Sequence, residues 1–196
     1  MRLYYSDASP YARCVRVAIR HLAIEGVKEQ AINPLLNDEA FVSANPLAKI
    51  PCLILNDGAA LFDSEVILRF LDSEFGEHSL FGLSPTWHQQ TQFSLLKGLL
   101  DSAVGLRQEQ MREEEGVRSP FWTARFEQAL LRGLQHIEHH GEQRTQALTA
   151  HNIMLACLLS YIDFRHGDIA WQHVAPSVAI WYRSFSGHPE MRDTQP

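Results

Sequence analysis

The pattern of apolar and polar positions changes character near residue 80. Before that point, short apolar runs alternate with stripes at helical spacing. After it, every strong pattern is helical. Leu3, Tyr4 and Tyr5 form a short apolar run that reads as a strand. Val15, Ala18, Ile19 and Leu22 then fall at i, i+3, i+4 and i+7, which predicts a helix over 10–23. The same spacing sets Arg13, Arg16 and Arg20 on the other side. Ser9 followed by Pro10 is a helix start, with Ser at the N-cap and Pro at the first helical position. Gly26 follows as a stop.

Residues 27–32 alternate partially and read as a second strand, followed by a loop over 33–38. A helical turn over 39–43 ends at Asn45-Pro46. Residues 50–55 form an apolar strand with Pro51 at its mouth. Asn56-Asp57-Gly58 is a hairpin turn that returns the chain through Ala60, Leu61 and Phe62. Asp63-Ser64 then caps a helix with Ile67, Phe70, Leu71 and Phe75 on one face. The order is βαβ followed by ββα, which predicts a mixed sheet with helices packed on it.

Residues 76–85 carry two glycines, a terminal proline and no periodicity, and read as a linker. Beyond them a helix over 87–112 carries Phe93, Leu96, Leu100, Val104 and Met111 at near-helical spacing. Residues 112–119 are charged and read as a solvated loop. A second helix over 121–141 has Phe126, Leu130, Leu134 and Ile137 on one stripe. Residues 149–164 are apolar nearly all round and predict a buried central helix. A short helix over 176–185 follows, and the tail from Ser186 reads as loop. The fold class is therefore an α/β amino-terminal domain over 1–78 and an all-α domain over 86–196.

Composition narrows the function classes. The 196 residues hold 45% hydrophobic and 20% charged positions, ordinary for a globular protein, with a net charge of −6. That sign argues against a general affinity for nucleic acid or anionic membranes. No apolar run reaches the length of a membrane span, and the amino terminus enters a strand without a signal-peptide pattern. Cys14, Cys52 and Cys157 are widely separated, with no CxxC, which argues against a zinc site, a dithiol site or a disulfide framework. A reducing cytoplasm is the expected setting.

Three stretches stand out as chemistry. Ser9 places a hydroxyl where free backbone N–H groups and the positive end of a helix dipole converge, a place that favours an anion. It is either a cap alone or a cap that also works on a substrate. Pro51 is either an ordinary trans residue at a strand mouth or a cis residue. In the cis form, Ile50 would present its backbone to an extended ligand as an added strand does. Asp63-Ser64 caps a helix and could also take an amino-acid end, the N–H groups and hydroxyl holding its carboxylate and Asp63 its ammonium. His136, His139 and His140 resemble metal ligands. On a helix, however, His139 and His140 diverge by about 100°, so a solvated face is the expected reading and no metal is assigned. Cys14 is a minor candidate, a small hydrophobe in the first instance. Tyr5 could offer its hydroxyl near Ser9, although core packing is the simpler role.

Taken together, these pieces resemble the bacterial, serine-type glutathione S-transferases over nearly the whole chain. Ser9-Pro10-Tyr11-Ala12-Arg13 is similar to that family's catalytic-serine motif. Asn45-Pro46-Leu47-Ala48-Lys49-Ile50-Pro51 is similar to the loop before its cis-proline. Asp63-Ser64-Glu65-Val66-Ile67 resembles its γ-glutamyl-binding turn, and Leu148-Thr149-Ala150-His151-Asn152-Ile153 the capping box of its central helix. Ala48, Asp63 and Asn152 depart from it, standing where glycine, glutamate and aspartate are common. The resemblance implies a thioredoxin-like amino-terminal domain and a helical domain that lines a hydrophobic co-substrate pocket, with the electrophile between Ser9 and residues 103–111. It also implies a homodimer, glutathione as co-substrate, and a cis Pro51. Ser9 would hold the thiolate, Ile50 would pair with the cysteinyl unit, Lys49 would meet the glycyl carboxylate, and Asp63 and Ser64 would take the γ-glutamyl end. Arg13 would add field or be solvated. The alternatives are a non-catalytic glutathione-binding or regulatory protein, or another glutathione-dependent reaction such as dehalogenation, peroxide reduction or isomerisation.

Overall fold

A computed structural model describes residues 1–113, 115–140 and 144–196. The chain divides into two compact units. The first comprises residues 1–85, 148–153 and 188–196, and the second comprises 86–147 and 154–187. The first unit is built on four strands, β1 (Arg2–Tyr5), β2 (Lys28–Ala31), β3 (Cys52–Ile54) and β4 (Ala60–Leu61). They lie in the order β2-β1-β3-β4, with β1 parallel to β2 and antiparallel to β3, and β3 antiparallel to β4. Three helices accompany them: α1 (Pro10–His21), α2 (Glu39–Ala44) and α3 (Ser64–Phe75). This is the thioredoxin-like arrangement, with the βαβ and ββα halves in the expected order.

Strand alternation sorts the core into two faces. Leu3 pairs with Leu53 and Tyr4 with Cys52, so each pair points the same way. Tyr4, Cys52 and Phe41 of α2 make one cluster, with the Tyr4 and Phe41 rings edge-on at 5.5 Å. Leu3 and Leu53 are fully buried on the opposite face. α1 and α3 pack on each other, burying Val15, Ala18, Ile19, Ile67, Leu68 and Leu71. Phe75, expected on the apolar face of α3, is instead 45% exposed. It lies at the helix end, beyond the packed stretch.

Two expectations from the sequence are corrected here. Residues 76–85 are not a free linker, because Leu80 and Phe81 are buried. The reason is Asp72, itself buried in the last turn of α3. Its carboxylate accepts the N–H of Leu80 at 2.8 Å and of Phe81 at 3.0 Å. The Leu80 carbonyl in turn accepts the N–H of Ala150 at 3.0 Å, which ties residues 148–153 to the same unit. Nor is the tail from Ser186 all loop. It forms a short helix, α9 (Pro189–Arg192), and buries Met191 and Thr194 completely. Residues 188–196 therefore belong with the first unit, where the sequence placed them with the helical one.

The second unit contains α4 (Trp87–Met111), α5 (Pro120–His140), most of α6 (Ala150–Arg165), α7 (Trp171–Val174) and α8 (Pro176–Phe185). The predicted end of α5 at Gly141 lies outside the described residues. α4 and α5 approach closely through glycine: a Cβ on Gly133 would fall 2.3 Å from the Leu99 side chain, and one on Gly105 2.8 Å from the Phe126 ring. α6 is apolar nearly all round and buried from Ile153 to Leu159. Polar side chains close the unit. Glu138 accepts the N–H groups of Ser177 and Val178 at the start of α8, at 3.0 and 3.1 Å. Asp163 accepts the Trp171 indole N–H at 2.8 Å. His166 is buried; its Nε2 lies 2.8 Å from the Ala103 carbonyl and its Nδ1 3.3 Å from the Gln110 amide nitrogen. Those partners select the neutral ring with the proton on Nε2, and burial pushes the His166 pKa down.

Asp72 offers a direct check on the packed connection. Asp72→Ala leaves two buried N–H groups without acceptors, so stability should fall by about 2–3 kcal/mol. Urea unfolding should show a lower midpoint at unchanged slope. A midpoint equal to that of the parent protein would mean that the 76–85 segment is held by something else.

Candidate active site

The sheet topology brings the three candidate stretches to one edge. β1 ends at Tyr5 and leads through a turn to Ser9 and α1. Because β3 is antiparallel to β1, with Cys52 opposite Tyr4, the residues just before β3 lie beside the end of β1. Because β4 is antiparallel to β3, with Leu61 opposite Leu53, the residues just after β4 return to the same edge. Carried past the last pairs, this register sets Pro51 opposite Tyr5 and Asp63 opposite Pro51. Ser9, Ile50-Pro51 and Asp63-Ser64 thus share one end of the sheet.

Ser9 has extended backbone angles, and its Oγ accepts the Ala12 N–H at 3.2 Å. The Ser9 carbonyl accepts the Arg13 N–H at 3.0 Å, which closes the first turn. A hydroxyl that accepts in this way keeps its own proton to donate. The residue is partly exposed. A tight turn delivers it, in which the Ser9 N–H donates to the Ser6 carbonyl at 3.1 Å.

The Ile50–Pro51 peptide is cis, as the family resemblance implied. The Phe62–Asp63 peptide is also cis, which no sequence pattern indicated. The loop before Pro51 is built on Asn45, which is buried. Its Oδ1 accepts the Leu47 N–H at 3.1 Å, and its Nδ2 donates to the Lys49 carbonyl at 2.7 Å. The sequence identified Asn45 only as part of a motif, and its clamp on the loop emerges from the structure. Ala48, within that clamp, has φ +50°, a left-handed conformation that costs an L-residue about 1–2 kcal/mol. This explains why glycine suits that position. The Lys49 side chain is exposed.

At the start of α3, the Asp63 carboxylate accepts the Glu65 N–H at 3.0 Å and is exposed. Ser64 is 1% exposed and its Oγ is buried with no hydrogen-bond partner among the described residues. An orphaned buried hydroxyl costs about 1–3 kcal/mol. In this rotamer it is sealed from solvent, so it would meet a ligand only after a χ1 rotation between staggered wells.

The arginines of α1 are buried. Arg13 and Arg16 are only 5% and 7% exposed, so the solvated alternative for Arg13 does not hold. Arg13 donates from Nη2 to the Met191 carbonyl at 2.9 Å and from Nε to the Thr194 hydroxyl at 3.3 Å. The helix therefore buries polar residues as well as an apolar stripe, and residues 188–196 cover Arg13. Arg16 bonds Asp7 and Glu29, and its guanidinium lies 4.2 Å from the centre of the Tyr5 ring. Tyr5 is thus committed to stacking on Arg16. Cys14 is fully buried, which removes it as a candidate. Among the described residues, no group of three or more His, Cys, Asp or Glu could hold a metal ion. His136 and His140 stack on each other at 4.6 Å on an exposed face.

Comparison with known proteins places this geometry. Residues 3–79 match the model of the glutathione S-transferase N-terminal domain. A glutathione transferase family member from Pseudomonas fluorescens, crystallised with bound glutathione, superposes with a TM-score of 0.90 at 32% identity, over 100% of this chain and 98% of that one. The chain belongs to the glutathione S-transferase family. A glutathione S-transferase from Methylobacillus flagellatus, also with glutathione bound, gives a TM-score of 0.86 at 28% identity, over 100% of this chain and 98% of that one. The GST-like protein YibF of Escherichia coli is 24% identical over 178 residues, 87% of this chain and 86% of its own length. Among the described residues of this transferase-family chain, no helix is long and apolar enough to cross a membrane.

The Glu29 carboxylate contributes to the acid side of stability. Burial pushes its pKa up, but the hydrogen bonds and charges of Arg20 and Arg16 outweigh this, and the net shift is downward. A lowered folded pKa means that Glu29 contributes stability above the ordinary glutamate range and loses it as pH falls through the folded value. Glu29→Gln should therefore cost about 2 kcal/mol at neutral pH. It should also flatten the decline in melting temperature on acidification. An unchanged acid limb in a pH series of thermal melts would contradict this role.

Proposed function

We propose that this protein is a glutathione transferase in which Ser9 stabilises the glutathione thiolate for attack on a hydrophobic electrophile. The observation that carries this reading is the sharing of one sheet edge by three stretches with complementary chemistry. Ser9 offers a hydroxyl proton at a helix start. Ile50, next to cis Pro51, offers its backbone groups to the extended backbone of a cysteinyl unit. Asp63 and Ser64 offer a carboxylate, a hydroxyl and a helix start to a γ-glutamyl group. Exposed Lys49 is the candidate for the glycyl carboxylate. A tripeptide with a charged group at each end and a thiol in the middle suits that order. The solved relatives crystallised with glutathione support the same choice of ligand.

The magnitudes are sufficient. A free thiol has a pKa of about 8.5, so only about 3% is thiolate at neutral pH. Lowering that pKa by about two units needs a preference of about 2.7 kcal/mol for the anion. A hydrogen bond to a charged group supplies about 1.5–3 kcal/mol. A helix start in a partly buried site adds up to about 2 kcal/mol. Ser9 needs no general base, because it donates to the thiolate and does not itself attack. The electrophile then loses its leaving group, or takes the thiolate by addition, as a carbon–sulfur bond forms. A homodimer in a reducing compartment completes the proposal. The exposed apolar side chains of Leu47 and Val66, and the burial of all three cysteines outside any disulfide, support it.

Ser9→Ala is the test. Conjugation of glutathione to chlorodinitrobenzene should fall by about a hundredfold in kcat/KM, while glutathione affinity by calorimetry stays close to that of the parent. Unchanged turnover in the variant would remove Ser9 from the mechanism. Glutathione binding with no turnover of any electrophile in the parent would favour a binding protein.

A further inference from the structure

The turn that carries Ser9 is braced by charged groups that the proposed mechanism does not use. Residues 6–9 form a four-residue turn closed by the Ser9 N–H on the Ser6 carbonyl. Asp7 sits inside that turn, with its side chain 61% exposed, and accepts from Arg16 Nη1 at 3.0 Å. Arg16 is buried and has two further anchors. Its Nε donates to Glu29 of β2 at 2.9 Å, and its guanidinium lies on the Tyr5 ring at the end of β1. Glu29 is itself gripped by Arg20 Nη1 at 2.6 Å, and the same Arg20 nitrogen donates to the Arg16 carbonyl at 3.0 Å. A planar guanidinium with a fixed fork of donors fixes direction as well as distance, which an ammonium does not.

From this geometry we infer that the Glu29–Arg16–Asp7 chain is a positioning device for Ser9. Arg16 ties the turn to β1, β2 and α1 at once, so the turn cannot rotate without breaking the Asp7–Arg16 pair, whose arginine is buried and held by Glu29. None of these three residues touches the reacting atoms. They act by holding the Ser9 hydroxyl where its proton meets the sulfur. The inference rests on the assignment of Ser9 as the thiolate's donor, and it extends that assignment to residues on a neighbouring strand.

Asp7→Asn gives a test in which the sign is informative. Asp7 is exposed enough that the variant should fold. Removing a negative charge near the helix start would, through the field alone, favour the thiolate and lower its pKa. Loosening the brace would misplace the Ser9 proton and raise it. The readout is the pH dependence of thiolate absorbance for enzyme-bound glutathione, which needs no electrophile. We expect the bound thiol pKa to rise by about half a unit to one unit in Asp7→Asn, with glutathione affinity within about twofold of the parent. Arg16→Lys should raise it similarly, and the double variant should add little to either single one, since coupled residues are non-additive. A lowered or unchanged pKa in Asp7→Asn would overturn the brace if Ser9→Ala still raises the thiol pKa. If Ser9→Ala leaves the pKa unmoved as well, both the brace and the thiolate assignment fall.

Discussion

The amino-terminal unit depends on the antiparallel pairing of β1 with β3. A wholly parallel sheet would send the start of β3 to the far edge from the end of β1. Here Cys52 lies opposite Tyr4, so the chain enters β3 beside the place where it leaves β1. The short β3–β4 hairpin returns it to the same edge. Its turn is closed by the Gly58 N–H on the Leu55 carbonyl at 3.1 Å, with Gly58 at φ +91° where glycine is needed. Three loops far apart in sequence are thereby gathered at one edge. Fixing that edge needs only a few strand pairs, with Leu3 and Leu53 buried on one face of β1 and β3 and Tyr4 and Cys52 on the other.

The second constraint is polar. α1 begins with a cap and buries two arginines, so its orientation is set by directed bonds as well as by packing. Arg16 fixes the incoming turn, and Arg13 is covered by the Met191 carbonyl and the Thr194 hydroxyl. Buried cations of this kind are costly unless their donors are used, and here both guanidinium groups have partners. Asn45 plays the corresponding part in the loop before Pro51, and Asp72 in the segment after α3. In each case one buried polar side chain satisfies backbone groups that would otherwise be orphaned. The helical unit works differently. It is closed by glycine-mediated contact of α4 with α5 and by side-chain caps such as Glu138 on α8.

The sequence made the order of elements legible because apolar periodicity records local burial. It located Ser9, Pro51, Asp63 and Ser64 through cap and turn chemistry, which is also local. It left the surroundings of Arg13 and Arg16 open, because periodicity only separates the two sides of the helix, and nothing local shows which partners bury the polar one. Those partners, Glu29 and residues 191–194, are distant in the chain. The same holds for residues 76–85, where glycines and a proline suggested a linker but the remote carboxylate of Asp72 imposes packing. The short helices α7 and α9 were missed because four residues are too few to show a period. The role of His166 depends on long-range hydrogen bonds that leave no pattern in composition, and that of Asn45 on a side-chain clamp to Leu47 and Lys49 that apolar periodicity does not record.

The central claim is that one sheet edge holds a tripeptide thiolate with Ser9 at its sulfur. The most direct measurement is a crystal structure of this protein with glutathione. The account predicts the sulfur within about 3.5 Å of Ser9 Oγ, the cysteinyl backbone against Ile50, and the γ-glutamyl end at Asp63 and a turned Ser64. Glutathione bound elsewhere, or with its sulfur directed away from Ser9, would contradict it.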